Sequence, residues 1–248
     1  MRLIRIAITF LFLASINTGF SQDYKVHSHN DYKQNVPFWK AFGAEVQSIE
    51  VDVFYIDDKL MVAHELNEIQ QDKTLERLYL NPLKEAIALK MVSGKEIQIM
   101  VDVKTDAYKT LDAIVGSLKD YPTIISNENI KIIISGNRPA LEEYVNYPDF
   151  ISFDYQSIEP INDAKTLDKI ALVSLSFKNY SEWNGKGRLT VDDYNKVTAV
   201  IDKAHELEKP FRFWATPDSK SAWKAFTNMG VDFINTDMPN ECVQYVFS

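Results

Sequence analysis

The sequence predicts a single (β/α)8 barrel of the TIM type, and three observations carry that prediction. Short apolar segments alternate with amphipathic ones along the chain, the pattern of parallel strands joined by helical crossovers. Eight strand candidates can be counted in 248 residues, a usual length for one such barrel, although length alone would also admit two small domains. The first strand candidate runs into His27-Ser28-His29-Asn30-Asp31 without a glycine, whereas an open doubly wound sheet usually carries a glycine-rich phosphate loop there.

The elements follow in order. Tyr24–Ser28 opens the barrel, with a helix over Pro37–Ala44. Ser48–Tyr55 alternates Ile49, Val51 and Val53 with Glu50 and Asp52, and Asp57-Asp58 turns it into a short extra strand, Lys59–His64. Asn81–Met91 reads as a helix with an Asn cap and proline at its first position. Ile97–Val103 is the third barrel strand, and Ala107–Leu118 sets Leu111, Ile114, Val115 and Leu118 on one helical face. Ile130–Ser135 holds the run Ile132-Ile133-Ile134, as expected of a strand buried on both faces. A helix over Pro139–Val145 and a strand over Phe150–Tyr155 come next, and Gln156–Lys169 shows no convincing helix. Ile170–Phe177 is the sixth strand. Val191–Leu207 is a helix capped by Thr190 with two acids in its first turn. Phe211–Ala215 is the seventh strand, and the helix Ser219–Met229 stops at Gly230. Phe233–Thr236 and a helix over Pro239–Val246 close the chain.

At the N-terminus, Arg2 and Arg5 precede an apolar run, Ile6 to Ile16, broken only by Thr9 and Ser15 and followed by small and polar residues. This reads as a signal peptide over residues 1–21 cleaved near Ser21/Gln22, with an uncleaved anchor as the alternative. The expected mature chain, 22–248, is then one exported domain, periplasmic or secreted, without a stable membrane span. The only cysteine, Cys242, excludes an intrachain disulfide and reads as packing. A formal charge of −8 draws neither nucleic acid nor anionic lipid through the overall field, so a phosphate-bearing ligand would need locally placed cations.

Catalytic groups of such barrels lie at the C-terminal ends of strands. Those ends carry His27 and His29, Glu50 and Asp52, His64, Asp102 and Lys104, Trp214, and Asp237. A period of two points each of the pairs His27/His29, Glu50/Asp52 and Asp102/Lys104 to one side. Three carboxylates converging in a barrel mouth repel one another and resist desolvation. One divalent cation held by Glu50, Asp52 and Asp102 resolves that cost, and oxygen ligands suit Mg2+ or Ca2+ better than Zn2+. His27, His29 and His64 beside such acids suit general acid–base work, while His205 reads as a solvated helix residue. Lys104 can meet a phosphoryl oxygen as a point charge. Asn30 and Trp214 are further candidate substrate contacts. The segment Lys178–Leu189 reads either as a substrate-facing loop at the mouth or as an ordinary exposed one.

These motifs resemble the glycerophosphodiester phosphodiesterase-like superfamily, related to phosphatidylinositol-specific phospholipase C, over nearly the whole expected mature chain. Val26–Tyr32 is similar to its first catalytic histidine region, Ser48–Val53 to its metal-binding Glu-x-Asp strand, and Leu60–Glu65 to its second histidine. Val101–Lys104 resembles its third metal ligand with a lysine, and Phe213–Thr216 and Gly230–Pro239 resemble its closing signatures. The usual start is His-Arg-Gly, and here no arginine follows either histidine. The third ligand is commonly Glu, and Asp102 is closer to the sphingomyelinase D branch. The His-Ser-His-Asn-Asp-Tyr start looks like a separate branch that includes fungal "altered inheritance of mitochondria" type proteins.

The resemblance implies a metal-dependent phosphoric diester hydrolase acting on a glycerophosphodiester or phospholipid-like substrate. One histidine deprotonates the attacking water or hydroxyl, which can be a hydroxyl of the substrate itself through a cyclic phosphate, and another protonates the leaving alcohol. His64 is one of these. The other is His27 or His29, with His29 favoured and His27 as its partner. Two rival readings are a non-catalytic barrel binding a phosphate or lipid head group, and a two-carboxylate glycosidase, which would require neither the three histidines nor Lys104.

Overall fold

The computed structural model describes residues 24–248, so the signal-peptide expectation over 1–21 lies outside the described residues. Eight parallel strands close into a barrel in the order β1 (Lys25–Ser28), β2 (Ser48–Ile56), β4 (Ile97–Val103), β5 (Ile130–Gly136), β6 (Ile151–Tyr155), β7 (Ile170–Ser176), β8 (Phe211–Trp214) and β9 (Phe233–Thr236), with β9 pairing back to β1. β3 (Lys59–Val62) pairs antiparallel with β2 outside this ring. Its turn is Asp57-Asp58, with φ of 49° and 59°, the left-handed pair that a two-residue hairpin requires.

The alternation in β2 and β4 is what builds the site. Ile49, Val51, Val53, Ile99, Val101 and Val103 face outward into the main core beneath the helices. Met100, Ile133, Leu172 and Phe233 form a separate, fully buried apolar cluster within the barrel. The register sets Glu50 beside Met100, level with that apolar floor, and Asp52 beside Asp102, which in turn pairs with Ser135, so Asp52 and Asp102 lie one layer above it.

The helices are α1 (Trp39–Gly43), α2 (Asn81–Ala88), α3 (Ala107–Leu118), α4 (Pro122–Ile125), α5 (Ala164–Asp168), α6 (Val191–Glu206), α7 (Lys220–Met229) and α8 (Pro239–Val246). Thr190 caps α6 through Asp193 N–H, and Gly230 ends α7 at φ 93°, both as the sequence predicts. Four expectations are corrected. Asn81 does not cap α2: it is helical, continues a π-turn over Glu76–Leu80, and accepts a hydrogen bond from Tyr121. Gln156–Lys169 does contain a helix, α5, capped by Asp163, whose carboxylate takes both the N–H and the hydroxyl of Thr166. The segment after β5 is a 3-10 turn over Leu141–Asn146 instead of an α-helix. The extra strand ends at Val62, where pairing with Val53 stops, which leaves His64 free of the ladder.

Candidate active site and metal centre

A pocket of about 360 Å3 opens at the C-terminal end of the barrel. His29, Asn30, Glu50, His64, Asp102 and Lys104 border it on one side, with Ser135, Gln156, Arg212, Trp214 and Ala215 completing the wall. Glu50, Asp52 and Asp102 each bring a carboxylate oxygen within 4.8 Å of the others. Asp52 Oδ2 is crowded by Tyr32 Oη at 2.8 Å, Lys104 Nζ at 3.1 Å and His64 Nδ1 at 3.1 Å. Asp52 Oδ1, in contrast, is buried and meets no donor. A buried carboxylate oxygen without a partner is costly, and a cation among the three acids would satisfy it. The residues therefore fit a divalent ion bound through oxygen.

The electrostatics agree with that fit. Burial, then the charge of Glu50, pushes the Asp102 carboxyl up to about 6 despite Lys104 Nζ at 3.1 Å. Glu50 goes the other way: burial opposes its charge, but the Arg212 guanidinium at 2.7 Å and the His27 hydrogen bond hold it well below the usual range. Lys104 is pushed up, because Asp102 and Asp52 outweigh its own burial. Asp102 also explains Gly136, at φ 66°: a Cβ there would stand 2.2 Å from Asp102 Oδ1 and 2.5 Å from the Val103 carbonyl.

The two histidines of the first motif occupy different places. His27 is wholly buried beneath the pocket, with Nδ1 2.7 Å from Ser48 Oγ and Nε2 against Glu50 and Arg212. Burial, then the charge of Arg212, lowers it to about 3, so it is neutral and its contact with Glu50 is not an ion pair. His29 borders the pocket, with Nδ1 2.8 Å from Asp237 Oδ1 and Nε2 3.7 Å from Glu50 Oε1. Burial opposes its protonation, but the Asp237 hydrogen bond and the charges of Glu50 and Asp237 prevail and raise it. Asn30 takes a left-handed conformation, φ 47°, and sets its amide nitrogen 3.1 Å from His29 Nδ1. The hairpin brings His64 over Asp52 from the far side of β2.

Trp214 stands 40% exposed on the pocket rim. The 178–189 loop contributes no side chain to this pocket. Its Trp183 and Asn184 line a neighbouring cleft with Ala215, Thr216 and Pro217. His205 is exposed, yet its Nε2 lies 2.8 Å from Asp232 at the opposite end of the barrel, so it is bonded and not simply solvated. Cys242 is fully buried among apolar neighbours. Sequence reasoning missed Tyr32, which lies 2.8 Å from both Asn30 and Asp52, and it missed Arg212 and Asp154 inside the barrel. The signal for Asp154 was present, since Ile-Ser-Phe-Asp-Tyr alternates as β2 does.

Residues 18–93 match the AIM6-like phosphodiesterase domain, and residues 210–240 match the glycerophosphoryl diester phosphodiesterase family. The chain is 27% identical to an altered inheritance of mitochondria protein 6 homolog of Arthroderma benhamiae, over 89% of this chain and 83% of that protein. It is 25% identical to altered inheritance of mitochondria protein 6 of Saccharomyces cerevisiae, over 86% and 68%. Among solved structures it resembles a glycerophosphodiester phosphodiesterase from Parabacteroides distasonis, with TM-score 0.61, 16% identity, and 91% and 98% of the two chains covered. A glycerophosphodiester phosphodiesterase from Agrobacterium tumefaciens superposes with TM-score 0.53 at 11% identity, covering 91% and 100%. At these identities the two structures speak for the fold.

Proposed function

We propose that this chain, a member of the glycerophosphodiester phosphodiesterase/AIM6-like superfamily and by fold and family a phosphoric diester hydrolase, cleaves a glycerophosphodiester or phospholipid-like diester with His29 and His64 as its proton-transfer pair. The observation that carries this reading is the set of three carboxylates converging beside an unpartnered buried oxygen, with one histidine next to Glu50 and another next to Asp52. Glu50, Asp52 and Asp102 would hold one Mg2+ or Ca2+, which supplies Lewis-acid polarisation of a phosphoryl oxygen when bound.

The chain's own groups divide the remaining work. Asp237 orients His29 through Nδ1 and leaves Nε2 toward the pocket, where a protonated ring donates to the leaving alcohol. Asp52 orients His64 in the same way and leaves its Nε2 to accept the proton of the attacking water or hydroxyl. His27 is the neutral, buried support beneath them. Lys104 stands between Asp52 and Asp102 and adds positive charge where the phosphoryl group would rest. Trp214 and Asn30 border the space left for the rest of the substrate.

The test is a panel of glycerophosphodiesters and lysophospholipids assayed with added Mg2+ or Ca2+, using wild type, His64→Ala and His29→Ala. The expected result is turnover by wild type, reduced about 100-fold or more in either variant. Wild-type turnover in His64→Ala would remove the assignment, and binding without turnover in wild type would favour a non-catalytic barrel. Export after cleavage near Ser21 is part of the proposal and rests on the sequence of residues 1–21. N-terminal sequencing of the protein recovered outside the cytoplasm checks it.

A further inference from the structure

Besides Glu50 and Asp52, the barrel lumen holds a further buried carboxylate that the proposed chemistry does not use. Asp154, on β6, is fully buried, and no cation among the described residues pairs with it directly. Its Oδ2 accepts the hydroxyl of Ser135 at 2.8 Å and that of Ser174, while Oδ1 has no partner. A serine has one hydroxyl proton. Ser174 gives its proton to Asp154 and so turns a lone pair toward Arg212 Nη2, 3.5 Å away. Asp154, Ser174 and Arg212 form one polar chain along the lumen wall, from β6 through its neighbour β7 to β8.

Arg212 ends that chain with donors to spare. A guanidinium carries five N–H groups. Nη1 is engaged by Glu50 at 2.7 Å and Asn235 at 3.1 Å, but Nη2 meets only Ser174 and Nε meets nothing. Arg212 is 3% exposed, and it borders the same pocket as His29, His64 and Lys104. In the ring of strands, β8 lies across the lumen from the strands that carry the acids, β2 and β4. An arginine whose Nη2 is held only by one long serine contact at the edge of a pocket is a site for a phosphoryl oxyanion.

We propose that Arg212 binds a non-bridging oxygen of the substrate's phosphoryl group, and that Asp154 acts through Ser174 as its positioning residue. The inference rests on the phosphodiesterase reading for the identity of the ligand. The acids would hold the cation, and Arg212, tied through Nη1 to Glu50, would take the anion beside it with Nη2.

The experiment is a calorimetric titration of inorganic phosphate into the chelator-treated full chain, so that binding reports the protein's own cations. Wild type binds phosphate, Arg212→Lys weakens binding about tenfold because the fork of donors is lost, and Ser174→Ala weakens it about threefold while Ser174→Thr restores it. Thermal melts accompany each variant. If Arg212→Lys does not fold, the Ser174 pair decides. Absence of phosphate binding in wild type, or affinities unchanged in Arg212→Lys or in Ser174→Ala, overturns the proposal. Diester turnover by metal-loaded wild type is measured separately. Turnover with phosphate binding indifferent to these residues defeats only this inference, and Arg212-dependent phosphate binding without turnover defeats only the proposed function.

Discussion

His29 and Gly136 show how single residues set the site. Asp237 and Glu50 raise His29 above its ordinary value near 6.5, against burial and the Arg212 charge. A proton donor must be protonated to work, so activity should fall as pH rises through that raised value. Asp237→Asn removes the main support, and the alkaline limb of kcat/KM should move to lower pH, with about a tenfold loss on that limb. A pH profile of both proteins checks the direction; an unmoved limb would mean that His29 is not the donor. Gly136→Ala puts a methyl into Asp102 Oδ1 and the Val103 carbonyl at a left-handed backbone position. A loss of about 2–4 kcal/mol in chemical denaturation is expected, with weakened cation binding. His29 and Asp102 were legible in the sequence as strand-end groups. Arg212 was not, because a lone cation in Phe-Arg-Phe-Trp means little until Glu50, on a strand 162 residues away, is seen beside it.

At the scale of elements, the period of two decided the outcome. β2 alternates branched apolar residues with Ser48, Glu50 and Asp52, and β4 keeps the same branched apolar period opposite Gln98, Met100 and Asp102, so both faces could be assigned before the barrel was seen to close. Helix ends were less legible where they depend on neighbours. Asn81-Pro82 has the composition of a helix start, but the preceding π-turn is held in place by the packing of Tyr79 and Leu80 in the core. α5 is five residues long, too short for any periodicity to mark it, and only its Asp163 cap gave a local signal. The β2–β3 hairpin delivers His64, and its turn keeps two aspartates in the left-handed region. Asp58→Gly should relieve one of these and raise stability by about 0.5–1 kcal/mol, at the loss of the bond to Tyr55. Because His64 stays in place, kcat/KM should be unchanged; a large drop would show that the turn sets the histidine's position more finely than the pairing does.

For the whole molecule, the polar layer sits on a buried apolar floor of Met100, Ile133, Leu172 and Phe233, which ties stability to the charge state of the lumen. His27 has a folded value near 3, far below the 6.5 of an unfolded chain. Between those values the unfolded state binds the proton and the folded state does not, so stability falls as pH drops from about 6.5 toward 3. Glu50, held low by Arg212, acts in the same direction below about 4.5. Denaturation midpoints should therefore fall through this window, and His27→Gln should flatten the upper part of the slope. A midpoint that stays level from pH 7 to 5 in wild type would contradict the neutral, buried state of His27.

In the proposed function, Glu50, Asp52 and Asp102 hold a divalent cation required for phosphodiester cleavage. The direct measurement is hydrolysis of bis(4-nitrophenyl) phosphate by the chelator-treated full chain, before and after Mg2+ or Ca2+ is restored, beside Asp52→Asn treated in the same way. The predicted result is loss of activity on chelation, recovery in wild type with one of the two metals, and no recovery in Asp52→Asn. Hydrolysis that is indifferent to chelation, or that Asp52→Asn recovers as fully as wild type, would contradict it.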